Sequence, residues 1–117
     1  MIYPELRQIR SLDLVPPALP PDPQACAVRF EVVIGPRGGP EREAYAFTVV
    51  TPGALARLEG GKWGRSCLLL PTFDWDMVQH ALAQLLATCA RASWDDVAAA
   101  LSQELHWQFG TTAPAEP

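Results

Sequence analysis

The stretch FEVVIGPRGGPEREAYAFTVVTP, Phe30–Pro52, decides the fold of this chain. Apolar and polar side chains alternate on both sides of its central GPRGGP segment, and this period of two is typical of half-buried β-strands. Val28, Phe30 and Val32 share one face of the first run, and Tyr45 and Phe47 share one face of the second. Two such runs joined by a Gly- and Pro-rich segment predict an antiparallel β-hairpin.

The GPRGGP segment, residues 35–40, allows two interpretations: a hairpin turn or a glycine-rich loop that binds phosphate. A phosphate loop needs converging backbone N–H groups at the start of a helix. Here two of the six residues are prolines without an N–H, and the segment leads through Glu41 and Glu43 into a strand. Both carboxylates would repel phosphate, so the sequence favours a turn without a ligand.

The segments before the hairpin predict a strand and a loop. Residues 2–11 predict a first strand near a sheet edge, because Pro4 is tolerated there. Residues 15–23, VPPALPPDP, hold five prolines, which exclude a helix or a central strand. A stiff surface connection is favoured over a recognition peptide of the PxxP type.

The segments after the hairpin predict a short helix and another strand. Thr51 and Pro52 fit the N-cap and the first residue of a helix. Leu55 and Leu58 would face inward, and Gly60-Gly61 would end this helix. The apolar run 66–71, SCLLLP, predicts a short buried strand.

The last third of the chain predicts two helices. In FDWDMVQHALAQLLATCA, 73–90, Asp74 or Asp76 can cap the first turn, and in SWDDVAAALSQEL, 93–105, Ser93 can do so. Inner stripes at helical spacing support both helices: Val78, Leu82, Leu85, Leu86 and Cys89 in the first, and Val97, Leu101 and Leu105 in the second. The period changes at residues 105–110, which predicts either the end of the helix or a final short strand.

These elements predict an α+β fold. We expect an antiparallel sheet of about four to five strands, with a short helix and two C-terminal helices packed on one face. A length of 117 residues fits one domain. We predict a single domain over residues 1–110 and a flexible C-terminal tail over residues 111–117.

Charge is distributed unevenly along the chain. Residues 1–65 carry eight basic and seven acidic residues, whereas residues 66–117 carry Arg91 and six acidic residues, so the net charges are +1 and −5. No basic stripe suggests a nucleic-acid partner, and an acidic face suits a basic protein partner. No apolar run is long enough to cross a membrane, so we expect no membrane partner and no signal segment.

The three cysteines, Cys26, Cys67 and Cys89, are odd in number and have no metal-binding spacing. Each stands among apolar residues, which favours small buried hydrophobic side chains in a reduced cytoplasm.

No catalytic, cofactor-binding or metal-binding motif is present in the sequence. His80 and His106 lack further ligands at the spacing of a zinc site. The carboxylate pairs Asp74/Asp76 and Asp95/Asp96 each fall in the first turn of a predicted helix, where negative charge offsets the helix dipole. Trp75 lies between two of these aspartates, so a partly exposed binding anchor is a minority alternative to a core position.

Five segments together resemble the immunity protein 8 family of bacterial polymorphic toxin systems. Their order and spacing carry the resemblance, which covers nearly the whole chain as far as Phe109. The segments are PPDPQACAVRFEVVIGP (20–36), VVIGPRGGPEREAYAFTVVTP (32–52), FDWDMVQHAL (73–82), SWDDVAAAL (93–101) and HWQF (106–109).

The resemblance implies a non-catalytic α+β domain, without a cofactor, that binds and neutralises a cognate toxin domain. With the charge pattern, it suggests Asp74, Trp75, Asp76, Asp95 and Asp96 as toxin contacts. Two other hypotheses stay open: a general regulatory or adaptor module, and a small enzyme that uses Asp74 or Asp95 with a histidine.

Overall fold

A computed structural model describes residues 1–16, 18–56 and 66–107, without the side chains of residues 55, 56 and 107. Three consecutive strands come first, and the two long helices follow each other near the end of the described chain, an α+β arrangement that confirms the predicted fold class. They are β1 (Pro4–Ser11), β2 (Ala27–Pro36), β3 (Glu43–Val50), α1 (Pro52–Ala56), β4 (Cys67–Leu69), α2 (Trp75–Thr88), α3 (Trp94–Leu101) and β5 (His106–Trp107).

The predicted hairpin is formed by β2 and β3, which pair antiparallel from Ala27 opposite Val50 to Ile34 opposite Glu43. Gly38 in the turn has φ +79°, a backbone conformation that glycine adopts without strain. Arg7 Nη2 donates to Pro36 O and Gly39 O, both at 2.7 Å. The turn carbonyls therefore accept hydrogen bonds from a guanidinium group of the neighbouring strand.

The sheet is mixed, although a wholly antiparallel one was expected. β1, β2 and β3 are antiparallel neighbours, and the far edge of β3 pairs with both β4 and β5. β5 is antiparallel to β3, whereas β4 is parallel to it over Thr48–Val50. A parallel pair requires a crossover connection, and the chain makes one by leaving β3 through α1 before it returns as β4.

The core lies between one face of the sheet and the two long helices. The alternation predicted for β2 and β3 is confirmed, because every second side chain of these strands is buried. Helix stripes from α2 and α3 pack against that face. The buried cluster comprises Val28, Phe30, Val32, Ile34, Tyr45, Phe47, Val49, Phe73, Val78, Leu82, Leu86, Cys89, Val97, Leu101 and Leu105.

The short strand predicted at 66–71 is present as β4, but its predicted burial was wrong. β4 is an edge strand in which Cys67 is exposed and Leu69 is 63% exposed. Its register places Cys67 opposite Thr48 and Leu69 opposite Val50, on the face of the sheet turned away from α2 and α3, which we call the helix-free face of the described sheet. Cys26 is half-buried and Cys89 is buried, so Cys67 alone departs from the expected burial of the cysteines.

The connections on either side of the long helices bear on the remaining expectations. Thr51 directly precedes α1, as predicted. Its hydroxyl accepts from Cys26 N at 2.9 Å, so this side chain connects the start of α1 to the start of β2. The chain after α3 forms the short strand β5, which decides between the two interpretations of residues 105–110. The predicted inward positions of Leu55 and Leu58, the stop at Gly60-Gly61 and the tail at 111–117 lie outside the described side chains or residues.

Candidate functional site

The first acidic pair surrounds the start of α2. Asp74 is the N-cap, and its carboxylate accepts from Asp76 N at 2.8 Å and from Met77 N at 3.2 Å. Asp76 is exposed in the first turn. Both acids therefore lie where unpaired N–H groups and the helix dipole favour negative charge.

Trp75 lies between these aspartates and is half-buried. Its ring packs edge-on against Phe30 and Phe73, with centroid distances of 5.6 and 5.2 Å. Its indole N–H donates to Ala18 O at 2.8 Å. Trp75 therefore joins the core to the loop between β1 and β2, and only part of its surface is available to a partner.

The second acidic pair lies at the start of α3. Ser93 is the predicted N-cap, with its hydroxyl accepting from Asp96 N at 3.2 Å. Asp95 and Asp96 are both exposed, and the adjacent Trp94 is half-buried. Neither carboxylate forms an ion pair with another described residue, so both can act on a partner through their charge, while Ser93 caps the first turn.

The two acidic pairs lie at opposite ends of α2. The start of α2 is tied to the loop before β2 by a bond from Phe73 N to Pro23 O of 2.8 Å. Beyond its other end, Arg91 forms a bridge with Ile2 just before α3 begins. A helix of 14 residues is about 20 Å long. The acids therefore form two separate negatively charged patches, one near each end of α2.

Asp74, His80 and His106 are among the residues that the enzyme hypothesis invokes; they lie at the start of α2, within α2 and on β5. The Asp74 carboxylate is occupied by the helix cap, and His106 pairs with Ala46 on the helix-free face of the sheet. His80 is exposed on α2. Among the described residues, no group of three or more His, Cys, Asp or Glu side chains could hold a metal ion.

The helix-free face of the sheet is an alternative surface, and its charges are paired. The Arg29 guanidinium donates to Asp13 at 2.8 Å, and its backbone N–H donates to the same carboxylate at 2.8 Å. These bonds hold the pKa of Asp13 below its usual value, chiefly through the Arg29 side chain. Arg10 forms a second pair with Glu31. On this face opposite charges neutralise each other in pairs, whereas Asp76, Asp95 and Asp96 form no such pair with another described residue.

Sequence reasoning missed an apolar surface on the loop between β1 and β2. Leu12, Val15 and Leu19 are 42%, 78% and 55% exposed. A cleft of about 160 Å³ separates this loop from α2 and is lined by Ile9, Arg10, Pro16, Trp75 and Gln79. The proline count predicted a stiff loop, but only tertiary contacts decide which of its side chains turn outward.

Comparisons with known proteins identify one family. A family model described as Immunity protein 8 matches residues 5–111, nearly the whole chain. No curated protein and no solved structure gives a significant match. In the part of the chain that the structure describes, each helix is too short or too polar to cross a lipid bilayer.

Proposed function

The chain belongs to the immunity protein 8 family, and from this membership we propose that it binds and neutralises a cognate toxin domain of a bacterial polymorphic toxin system. An immunity-type role in general follows from the family. The finer proposal is a stoichiometric, non-catalytic inhibitor that acts in the cytoplasm and meets the toxin as a folded protein.

The observation that carries this proposal is the extent of the family match, which runs from β1 to beyond β5. The described surface is compatible with it, because Asp76, Asp95 and Asp96 are exposed, form no ion pair with another described residue and can face a basic surface. Opposite charge across an interface accelerates encounter and selects partners. We propose that Asp74, Trp75, Asp76, Asp95 and Asp96 belong to the toxin-facing surface.

A titration tests the proposal. The probe is the purified toxin domain encoded by the neighbouring gene, assayed for its own activity or for growth arrest in co-expressing cells. We expect residual toxin activity to fall linearly with added chain and to end at a fixed equivalence point. An inhibitor that acts by binding cannot turn over, so sub-stoichiometric inactivation would contradict the non-catalytic part of the proposal.

The runner-up is a regulatory or adaptor module that binds another protein. The same titration separates the two functions, because an adaptor would leave toxin activity unchanged at any ratio. A full loss of toxicity on co-expression, together with a complex that survives size-exclusion chromatography, would reject the adaptor function. An unaltered toxin in the presence of excess folded chain would reject the immunity function.

A further inference from the structure

The loop between β1 and β2 concentrates exposed apolar side chains. Of the six large hydrophobic residues that are exposed in the described chain, three lie within eight residues of each other: Leu12, Val15 and Leu19. Pro16, Ala18 and Pro21 are also exposed between and beside them. Exposed apolar residues scattered singly are ordinary, whereas a cluster marks an interaction surface. We call residues 12–23 the proline loop; its Pro17 is not described.

Hydrogen bonds to the rest of the domain hold the proline loop in place. At one end, Ser11 Oγ accepts from Leu14 N at 3.1 Å, and Asp13 is bound by Arg29. In the middle, the Trp75 indole donates to Ala18 O, and at the other end Pro23 O accepts from Phe73 N. Fixed φ angles at its prolines restrict the loop further. A loop ordered before binding loses little conformational entropy when a partner docks.

An acidic rim borders the proline loop. Asp22 is exposed within it, and Asp76 is exposed in the first turn of α2, next to the tryptophan that contacts the loop. The two arginines nearby, Arg10 and Arg29, are engaged by Glu31 and Asp13. An apolar centre with a charged rim is the usual organisation of a protein interface. The charges of this rim that form no ion pair with another described residue are negative, which fits a partner with a basic surface.

We propose that the proline loop is the apolar centre of the toxin-binding surface, with Val15 and Leu19 inserting into an apolar recess bordered by basic residues on the toxin domain. This inference rests on the proposed function and adds its binding residues. The acids at the start of α2 then form one rim of the contact, and the acids at the start of α3, at the far end of α2, act through longer-range attraction.

Serine substitutions test the proposal without altering charge. Val15→Ser and Leu19→Ser remove the exposed apolar groups, and Leu69→Ser, at a residue that is 63% exposed on β4, is the matched control. With the neighbouring gene's toxin domain as the probe, we expect the double loop variant to raise Kd about tenfold or more. Most of that change should appear in the dissociation rate. The Leu69→Ser control should stay within about twofold of the parent.

The outcomes separate this inference from the proposed function. A parent chain that neither binds nor neutralises the toxin overturns both. A parent that binds and a folded double variant that binds equally well overturn only the inference. Loss of binding in Leu69→Ser alone would place the contact on the helix-free face of the sheet. If the double variant only converts an oligomer of the chain to a monomer, the loop contacts a second copy and the inference is wrong.

Trp75→Phe tests whether holding the proline loop in place before binding accelerates association with the toxin. Phenylalanine keeps an aromatic ring against Phe30 and Phe73 but cannot donate to Ala18 O. We expect faster amide exchange confined to the loop and slower association with the toxin, because fewer molecules present the binding conformation. Unchanged exchange and an unchanged association rate would show that the indole bond does not position the loop.

Discussion

Tyr45 combines a polar group with a fully buried position at the centre of the sheet. It lies on the core face of β3 with 0% of its surface exposed. Burial raises the pKa of Tyr45 to about 12; the Glu43 carboxylate adds to the increase and the Ser102 hydroxyl opposes it. The ordinary phenol pKa is about 10. The folded state therefore keeps the proton that the unfolded chain loses between these two values.

Tyr45→Phe should make the fold less sensitive to alkali. Because the folded pKa is raised, the contribution of Tyr45 to stability is complete below pH 10 and falls as the pH rises towards 12. We expect the parent to lose about 1–3 kcal/mol more than the variant over this range. At pH 7 the two should agree within about 1 kcal/mol. Urea unfolding at several pH values measures both differences.

Tyr3→Phe is the matched control, because the Tyr3 ring is 48% exposed and its contact with Arg37 needs only the aromatic face. It should leave the alkaline fall of the parent unchanged. Equal alkaline profiles for the parent and Tyr45→Phe would show that the phenol ionises as easily in the folded state as in the unfolded chain.

Trp75 shows which residue roles the sequence can predict and which it cannot. Its position between two aspartates at a helix start was readable from neighbours in the sequence. Its bond to Ala18 O joins residues 57 positions apart, and no local pattern encodes such a contact. The same limit applies to the exposed Val15 and Leu19, because proline spacing predicts stiffness and not the direction of a side chain.

At the scale of elements, local capping signals were reliable for the two long helices, whereas the hydroxyl of Thr51, the predicted cap of α1, accepts from Cys26 N. Ser93 caps α3 as predicted, and of the two candidates for α2 Asp74 is the cap, because a cap needs only a side-chain oxygen near the N–H groups two or three residues later. β4 was predicted less well. Three consecutive apolar residues do not reveal whether the strand is central or at an edge, and the register with β3 decides that Leu69 faces solvent.

Ser93→Ala should destabilise α3 by about 1 kcal/mol, since Asp96 N loses its acceptor at 3.2 Å. Ser93→Thr keeps a hydroxyl in the same place and serves as the control. Thermal or urea unfolding measures the difference. Equal midpoints for the alanine and threonine variants would mean that solvent replaces the cap at no cost.

Arg7 links β1 to the hairpin turn. The register of β1 against β2 shifts between Leu6 and Gln8, a β-bulge that leaves Arg7 out of the pairing. Its Nη2 atom then reaches Pro36 O and Gly39 O. A Cβ on Gly35 would collide with the backbone carbonyl oxygen of Glu41 and would also lie 2.9 Å from Arg7 Nη2. The bulge, the glycine and the arginine therefore act together to fix the turn.

Arg7→Met should loosen the turn while preserving the sheet. Two hydrogen bonds from a charged donor are lost, and we expect a loss of about 1–3 kcal/mol. The Gly39 amide, which donates to Pro36 O at 3.1 Å, should exchange faster with solvent. Arg37→Met, at an exposed arginine in the same turn, is the control. Unaltered exchange at Gly39 in the Arg7 variant would contradict this role.

Across the whole molecule, the helix-free face of the sheet and the starts of α2 and α3 differ in how their charges are paired. The helix-free face carries paired ions, whereas Asp76, Asp95 and Asp96 are exposed at the helix starts. The charge counts of the two halves of the sequence predicted this asymmetry. The predicted helices also placed the two acidic pairs at opposite ends of the helical layer. A field spread over the length of α2 attracts a basic partner from a distance more than it strengthens the final contact.

Neutralising the helix-start acids should therefore slow association with the toxin domain more than it speeds dissociation. Asn caps helices about as well as Asp, so Asp74→Asn preserves the start of α2, and the four-residue Asp→Asn variant should fold. At low ionic strength we expect association to slow about tenfold, with a flatter dependence on salt. The pair variants Asp74/Asp76 and Asp95/Asp96 should each produce part of this effect, because the patches act at separate places. Stopped-flow association at low and high salt gives both quantities.

A matched control distinguishes a directed field from net charge alone. The double variant Glu5→Gln/Glu41→Gln removes two negative charges, as many as either pair variant, at exposed sites near the hairpin turn. If net charge alone steers the encounter, this control will slow association as much as each pair does. If the helix starts face the incoming toxin, the control will slow it less, because attraction decays within about 10 Å at 0.1 M salt. If the folded four-residue variant associates as fast as the parent and with the same salt dependence, the helix starts do not belong to the toxin-facing surface. The paired charges and exposed Leu69 of the helix-free face would then be the next surface to mutate.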